Sequence, residues 1–272
     1  MKIETIICDI DGTLMSPGGG PFVDDKIKKV MIDLQKSGKT IVLASARIFQ
    51  GVLPLALQIG MDIYGGYILS SNGTYAYDVK QKKILFCHEI KKEDALCFWE
   101  MGLKEGVDFG IAQPNYMVES GFSIGFYLDH FNCDVDVMIT SDPKKYVNDI
   151  ISKCSLSQEK EILDKAYNSL KEKIEENYPY NVIRSNDTFV DIVKKGCGKL
   201  EGLKELFTYV HLDFKEAAAI GDGNSDASML QACAFSATLE NGSKACKEVA
   251  DIITPSYKED GCLVFFEKIM HL

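Results

Sequence analysis

Short apolar runs alternate with amphipathic stretches through the N-terminal part of the chain. Glu4-Thr5-Ile6-Ile7-Cys8 is β-rich and short, as a strand buried on both faces should be. Asp24 is placed to cap a helix in which Ile27, Val30, Met31 and Leu34 recur at helical spacing until Gly38 stops the run. A second buried strand is predicted at 40–44, a helix at 49–59 with Pro54 as its weak point, and a third strand at 67–70. The C-terminal part repeats this grammar. Helices are predicted at 199–209, around Met229 and Leu230, and at 243–250; strands are predicted at 217–220, 234–238 and 251–253. Strands alternating with helices in this way predict an α/β fold, a doubly wound, Rossmann-like parallel sheet covered on both faces.

The middle of the chain has a different texture. Tyr75-Ala76-Tyr77-Asp78 and Gly125-Phe126-Tyr127-Leu128 read as hairpin-like alternations, and the charge-patterned run 158–177 reads as a helix with a solvated face. This segment is too long for a crossover connection, so it is expected to be an inserted α+β domain. The expected division is 1–76 with 186–272 for the core and 77–185 for the insertion. Gly18-Gly19-Gly20-Pro21 predicts a flexible loop soon after the first strand.

Composition narrows the function. The 272 residues are 46% hydrophobic and 26% charged, which excludes wholesale disorder. No apolar run approaches the ~18 residues of a membrane span, and no signal peptide is readable in Met1-Lys2-Ile3-Glu4. A net charge of −10 argues against wrapping nucleic acid, which needs clustered Lys and Arg. Nine cysteines with no Cys-x-x-Cys pair read as small buried hydrophobes in a reducing cytoplasm, where the sequons at Asn72, Asn186 and Asn241 are chance matches. His88, His130, His211 and His271 show no metal-binding spacing. The aromatics Phe98, Trp99, Tyr116, Phe122, Phe126 and Tyr127 are expected to pack a core rather than line a pocket.

The chemistry gathers at predicted strand ends. Asp9-Ile10-Asp11-Gly12-Thr13-Leu14 follows the first strand, where ligands of such sheets bind. In extended chain Asp9 and Asp11 face one space, and two carboxylates held together call for a cation; Mg²⁺ suits oxygen donors. Gly221-Asp222-Gly223-Asn224-Ser225-Asp226 brings two more carboxylates after another strand. An EF-hand reading fails at Ala227 and Cys233, and the faint P-loop at 195–199 lacks its first glycine, at Val193, and its hydroxyl, at Leu200. Lys199 supplies a positive charge at a helix start, while Ser45 and Arg47 after the second strand offer a hydroxyl and a guanidinium to phosphate oxygens.

Taken in chain order, Asp9-Ile10-Asp11-Gly12-Thr13, Ser45, Lys199 and the Gly221-Asp222 to Asp226 segment make four motifs that resemble the haloacid dehalogenase superfamily of phosphatases, and specifically its Cof-type group. The resemblance covers the whole chain and implies a cap domain between the second and third motifs, since the gap from Asp9 to Ser45 is too short for one. It implies that Asp9 is the nucleophile, forming an aspartyl-phosphate, and that Asp11 is the acid and base. It further implies Mg²⁺ on Asp9, the Asp11 carbonyl and Asp222, supported by Asp226, with Ser45 and Lys199 holding phosphoryl oxygens and Asn72-Gly73 near the substrate. Ala46 stands where the family has glycine, and Ser225 where it has asparagine, with Asn224 one place earlier. The expected activity is hydrolysis of a small phosphorylated metabolite such as a sugar phosphate, with no nucleic-acid or membrane partner. A mutase-like phosphotransferase and a non-catalytic phosphometabolite-binding protein are the alternatives.

Overall fold

The computed structural model describes residues 2–17, 19–185 and 187–272; Gly18 of the expected loop and the sequon residue Asn186 lie outside them. The chain opens with β1 (Thr5–Cys8), α1 (Asp25–Lys36), β2 (Thr40–Ala44), α2 (Phe49–Gln58), α3 (Met61–Tyr64), β3 (Tyr67–Ser70), β4 (Tyr75–Asp78) and β5 (Lys83–Cys87). Asp24 caps α1 as expected, its carboxylate accepting the Lys26 N–H at 2.8 Å, and Pro54 lies inside α2 without ending it.

The middle comprises α4 (Lys92–Lys104), β6 (Asp108–Ala112), β7 (Met117–Glu119), α5 (Ile124–Cys133), β8 (Val137–Ile139), β9 (Lys153–Ser157), α6 (Lys160–Asn177), β10 (Tyr180–Arg184) and β11 (Phe189–Lys194). Gly125 to Leu128, expected as strand, belongs to α5. Four residues are too short a window to separate period 2 from period 3.6, and here Gly125 and Phe126 are buried while Tyr127 and Leu128 are exposed.

The chain closes with α7 (Lys199–Val210), β12 (Ala217–Ile220), α8 (Ala227–Ala232), β13 (Phe235–Leu239), α9 (Lys244–Val249), β14 (Ile252–Thr254) and α10 (Gly261–Met270).

Two compact units result. One comprises Met1–Arg47, Gly51–Phe86 and Gly198–Leu272; the other comprises Ile48–Gln50 and Cys87–Cys197. The divisions therefore fall at 86/87 and 197/198, against the expected 76/77 and 185/186. The reason is strand pairing: β4 pairs antiparallel with β3 in the first sheet, whereas β11 pairs with β9 and β10 in the second. Sequence texture does not show which neighbour a strand will take.

The first unit is built on an eight-stranded sheet of order β14-β13-β12-β1-β2-β3-β4-β5, parallel from β14 to β3. Successive residues point to opposite faces. Ile7, Val42, Ala44 and Leu69 thus pack with Leu203, Leu206, Met229 and Leu230 of α7 and α8, while α1 lies beside α10. The chain winds outward from β1 toward β3, then from β12 toward β14 on the other side. The boundary between β1 and β12 is the switch point, where the loops leave a crevice at the carboxyl ends of the strands.

The second unit is a six-stranded sheet of order β10-β11-β9-β6-β7-β8. Phe98, Trp99, Phe109, Leu156, Leu163, Leu170 and Ile192 form its core with α4 and α6. Phe98, Trp99 and Phe126 are buried as expected, and Tyr116 packs at the core margin, but Phe122 and Tyr127 are exposed. Among the described residues no helix is long and apolar enough to cross a membrane.

Candidate active site

β1 ends at Cys8, the Asp9 N–H still donates to the Ile220 carbonyl of β12 at 3.0 Å, and the chain then turns. The carbonyl of Ile10 accepts the N–H groups of Thr13, Leu14 and Met15, so residues 10–15 form a tight turn rather than continuing the strand. Asp9 and Asp11 flank the start of this turn and take different partners. Asp9 is buried and held by Lys199; Asp11 is a third exposed and held by Arg47. Gly12 enables the turn twice over. Its φ of +83° suits glycine, and a Cβ there would fall 2.3 Å from an Asp222 carboxylate oxygen.

The loops after β1 and β12 meet at this point. Carboxylate oxygens of Asp9, Asp222 and Asp226 all lie within 4.8 Å of one another. The Thr13 hydroxyl sits 2.8 Å from Asp222 Oδ1 and 3.1 Å from Asp9 Oδ2, and its single proton can serve only one of them. Asp226 is engaged through both oxygens: Oδ2 accepts the N–H groups of Asp222 (3.1 Å) and Gly223 (2.8 Å), and Oδ1 accepts from Lys199 and keeps one lone pair. It folds its own loop so that Asp222 faces Thr13.

Lys199 begins α7 and is 4% exposed, yet it finds two anions, Asp9 and Asp226, each at 2.6 Å. Burial by itself would lower its pKa; Asp226 and Asp9 outweigh that, so the pKa is raised and the ammonium persists. The balance is lopsided. Burial pushes Asp9 well above the usual carboxylate range, the charges of Asp226 and Asp222 add to the shift, and Lys199 opposes it. Burial raises Asp222 as well. One cation thus does not satisfy three clustered carboxylates.

The loops after β2 and β3 complete the crevice. Ser45 is buried, its Oγ accepting the Arg47 N–H at 3.1 Å, and its carbonyl accepts the Asn72 N–H at 3.2 Å. Asn72 is buried in left-handed backbone, followed by Gly73 at φ +88°. A Cβ on Gly73 would stand 2.1 Å from the Gly198 carbonyl oxygen, and one on Gly202 would stand 2.5 Å from the Gly73 carbonyl. This close backbone contact seats the start of α7, and with it Lys199. Arg47 turns its guanidinium onto Asp11, with Nε 2.7 Å from Oδ2 and Nη2 2.6 Å from Oδ1. Ser225 is exposed, and no described hydrogen bond ties it to the carboxylates.

Two contributors had no role in the sequence reading. Thr13 lies inside the quoted motif but bridges two loops only in three dimensions. Asn241 donates to the Gly12 carbonyl at 2.8 Å and approaches Asp222 Oδ2 at 3.4 Å, while its Oδ1 accepts the Tyr257 N–H. The available signal was position: Asn241-Gly242 follows β13 as Asn72-Gly73 follows β3.

The residues present fit a hard divalent cation. The donors are all oxygens, the cradle at Gly12 has no Cβ, and the Thr13 hydroxyl is one proton short. Four aspartates against Lys199 and Arg47 leave two uncompensated negative charges when all are ionised.

Residues 6–266 match the family described as haloacid dehalogenase-like hydrolase. A Streptococcus pyogenes serotype M6 protein named "Putative phosphatase M6_Spy0533" is 25% identical over 262 residues, spanning 96% of each chain. The crystal structure of a haloacid dehalogenase-like hydrolase from Bacteroides thetaiotaomicron superposes with a TM-score of 0.91 at 26% identity, covering 98% of this chain and 100% of that one. The HAD subclass IIB sugar phosphatase BT4131 shares the fold at a TM-score of 0.75 and 18% identity, over 98% of each chain. The chain therefore belongs to the haloacid dehalogenase-like hydrolases, in their Cof-type phosphatase group.

Proposed function

We propose that the protein is a Mg²⁺-dependent phosphomonoester hydrolase of the cytoplasm, acting on a small phosphorylated metabolite through an aspartyl-phosphate. The observation that carries this reading is Asp9: a buried carboxylate at the switch-point crevice, pinned between Lys199 and Thr13 beside two further carboxylates. Asp9, Asp222 and Asp226, with the carbonyl of Asp11, would hold the metal, which would supply positive charge to the nucleophile and to the transferring group.

Asp9 attacks phosphorus, and the P–O bond to the leaving alkoxide breaks. Asp11 gives that alkoxide its proton and then takes one from the water that hydrolyses the acyl phosphate, so both protons pass through one carboxyl. Lys199 and the Ser45 hydroxyl steady the phosphoryl oxygens, with Asn72 and Gly73 at the margin of the same crevice. The second unit is assigned the role of cap, excluding water and selecting the substrate. A sugar phosphate is the substrate class we favour, because the structural neighbour BT4131 is a sugar phosphatase.

Phosphate release across a metabolite panel with Mg²⁺ tests the reading. Hydrolysis is expected in the wild type and none in Asp9→Asn; undiminished turnover in that variant removes the nucleophile assignment. Product analysis on a sugar phosphate separates hydrolysis from transfer to a second hydroxyl.

A further inference from the structure

We infer that Arg47 is a positioning residue for Asp11 and not a ligand of the substrate phosphate. The inference rests on the proposed proton-transfer role of Asp11. Its basis is the use already made of the guanidinium. Nε and Nη2 form a two-pronged pair with both carboxylate oxygens of Asp11, at 2.7 and 2.6 Å, and Nη1 donates to the Gly51 carbonyl at 3.3 Å. The Arg47 side chain is 3% exposed, against 34% for Asp11. The guanidinium is thus the buried support, and the carboxylate is the outer member that faces the crevice.

The support is itself fixed. Arg47 donates its N–H to Ser45 Oγ, and its carbonyl accepts the Ser71 N–H at 2.8 Å, so its backbone is held by the loops after both β2 and β3. Asp11, by contrast, sits in a turn, where a short side chain has several staggered rotamers open to it. A planar fork that matches the carboxylate selects one of them, which a lysine ammonium cannot do. Each carboxylate oxygen has a second lone pair, so the pair leaves Asp11 able to meet a leaving-group oxygen or a water. Orientation fixed before substrate arrives removes an entropic part of the barrier to proton transfer.

Kinetics on two substrates test this. An alkyl phosphate needs its leaving oxygen protonated, whereas 4-nitrophenyl phosphate, with its good leaving group, needs it far less. Arg47→Met is expected to lower kcat on the alkyl phosphate by ~10–100-fold and on the aryl phosphate by less than ~3-fold, with KM for both within ~3-fold. Arg47→Lys should fall between wild type and Arg47→Met. In an Asp11→Asn background, Arg47→Met should add less than ~2-fold on the alkyl substrate. The alkyl-to-aryl ratio does not depend on the folded fraction, so a destabilised variant still reports. A common rise in KM on both substrates, or losses that multiply in the double variant, would overturn the inference in favour of direct phosphate binding. A wild type inert toward every phosphate removes the hydrolase reading and this inference with it. Activity in the wild type that Asp9→Asn abolishes, with no change in the alkyl-to-aryl ratio in Arg47→Met, overturns this inference alone.

Discussion

Lys199 reaches Asp9 across 190 positions of sequence, its ammonium 2.6 Å from Asp9 Oδ1 and 2.6 Å from Asp226 Oδ1. All three side chains are buried, so this is an ion network removed from water, in which taking away one member costs more than the network contributes as a whole. Lys199→Met should destabilise the metal-free protein by roughly 3–5 kcal/mol, because two buried carboxylates lose their counter-charge. Mg²⁺ should then raise the melting temperature of the variant more than that of the wild type. Thermal melts in EDTA and in Mg²⁺ measure both effects, and an equal metal-induced shift in the two proteins would contradict a shared carboxylate site.

Gly73 tests how Lys199 is seated. Its left-handed backbone costs an alanine ~1–2 kcal/mol, and the Gly198 carbonyl 2.1 Å from the would-be Cβ adds a clash that only backbone movement can relieve. Gly38 has φ +93° with nothing within 4 Å of a Cβ, which makes it the control. Gly73→Ala should therefore lower the melting temperature well beyond Gly38→Ala and reduce turnover as well, whereas Gly38→Ala should leave turnover intact. Similar melting temperatures for the two variants would show that the close contact does not seat α7.

Asn241 joins the Gly12 carbonyl to Asp222 and so orients a carboxylate without serving as one of the three clustered acids. Asn241→Ala should raise the Mg²⁺ concentration needed for half-maximal activity by ~10–100-fold, as loss of a group that orients a metal ligand does. Asn241→Asp, which replaces the donating amide with an acceptor, should not restore it. A Mg²⁺ titration of phosphate release checks this, and an unchanged midpoint in the alanine variant would contradict it.

Glu119 gives the second unit a pH dependence. Burial, then the charges of Asp129 and Asp108, push its carboxyl up to about 8. The folded protein therefore holds a proton that the unfolded chain releases near the ordinary glutamate value, so stability falls as pH rises from about 4.5 to about 8. Glu119→Gln removes the titrating group. At pH 8.5 it should be more stable than wild type by roughly 2–4 kcal/mol, each pKa unit corresponding to ~1.4 kcal/mol and solvent relaxation absorbing part. At pH 4 the two should melt alike. Denaturant unfolding at both pH values measures the difference, and a gain at pH 4 equal to that at pH 8.5 would show a packing effect instead.

The core strands, the capping of α1 by Asp24 and the alternation of strands and helices were legible from local rules alone, because burial on both faces and helical periodicity leave direct marks on a sequence. So was the grouping of Asp9, Lys199, Asp222 and Asp226, whose motifs all fall at strand ends or a helix start and therefore at one edge of the sheet. Other features lay beyond such rules. The separate partners of Asp9 and Asp11 were hidden because the turn over residues 10–15 and the loops it meets come together only in three dimensions, and α5 was hidden because its aromatic residues suit a strand as well as a helix. The unit boundaries followed strand partners that texture does not reveal. The sequence by itself determined which acids and cations stand at strand ends and helix starts, since residue type and position relative to strand ends are local properties. The tertiary structure decided which cation each aspartate meets: Arg47 is close enough for Asp11 and Lys199 for Asp9 because β1 lies between β2 and β12, so that loops distant in sequence converge at one crevice.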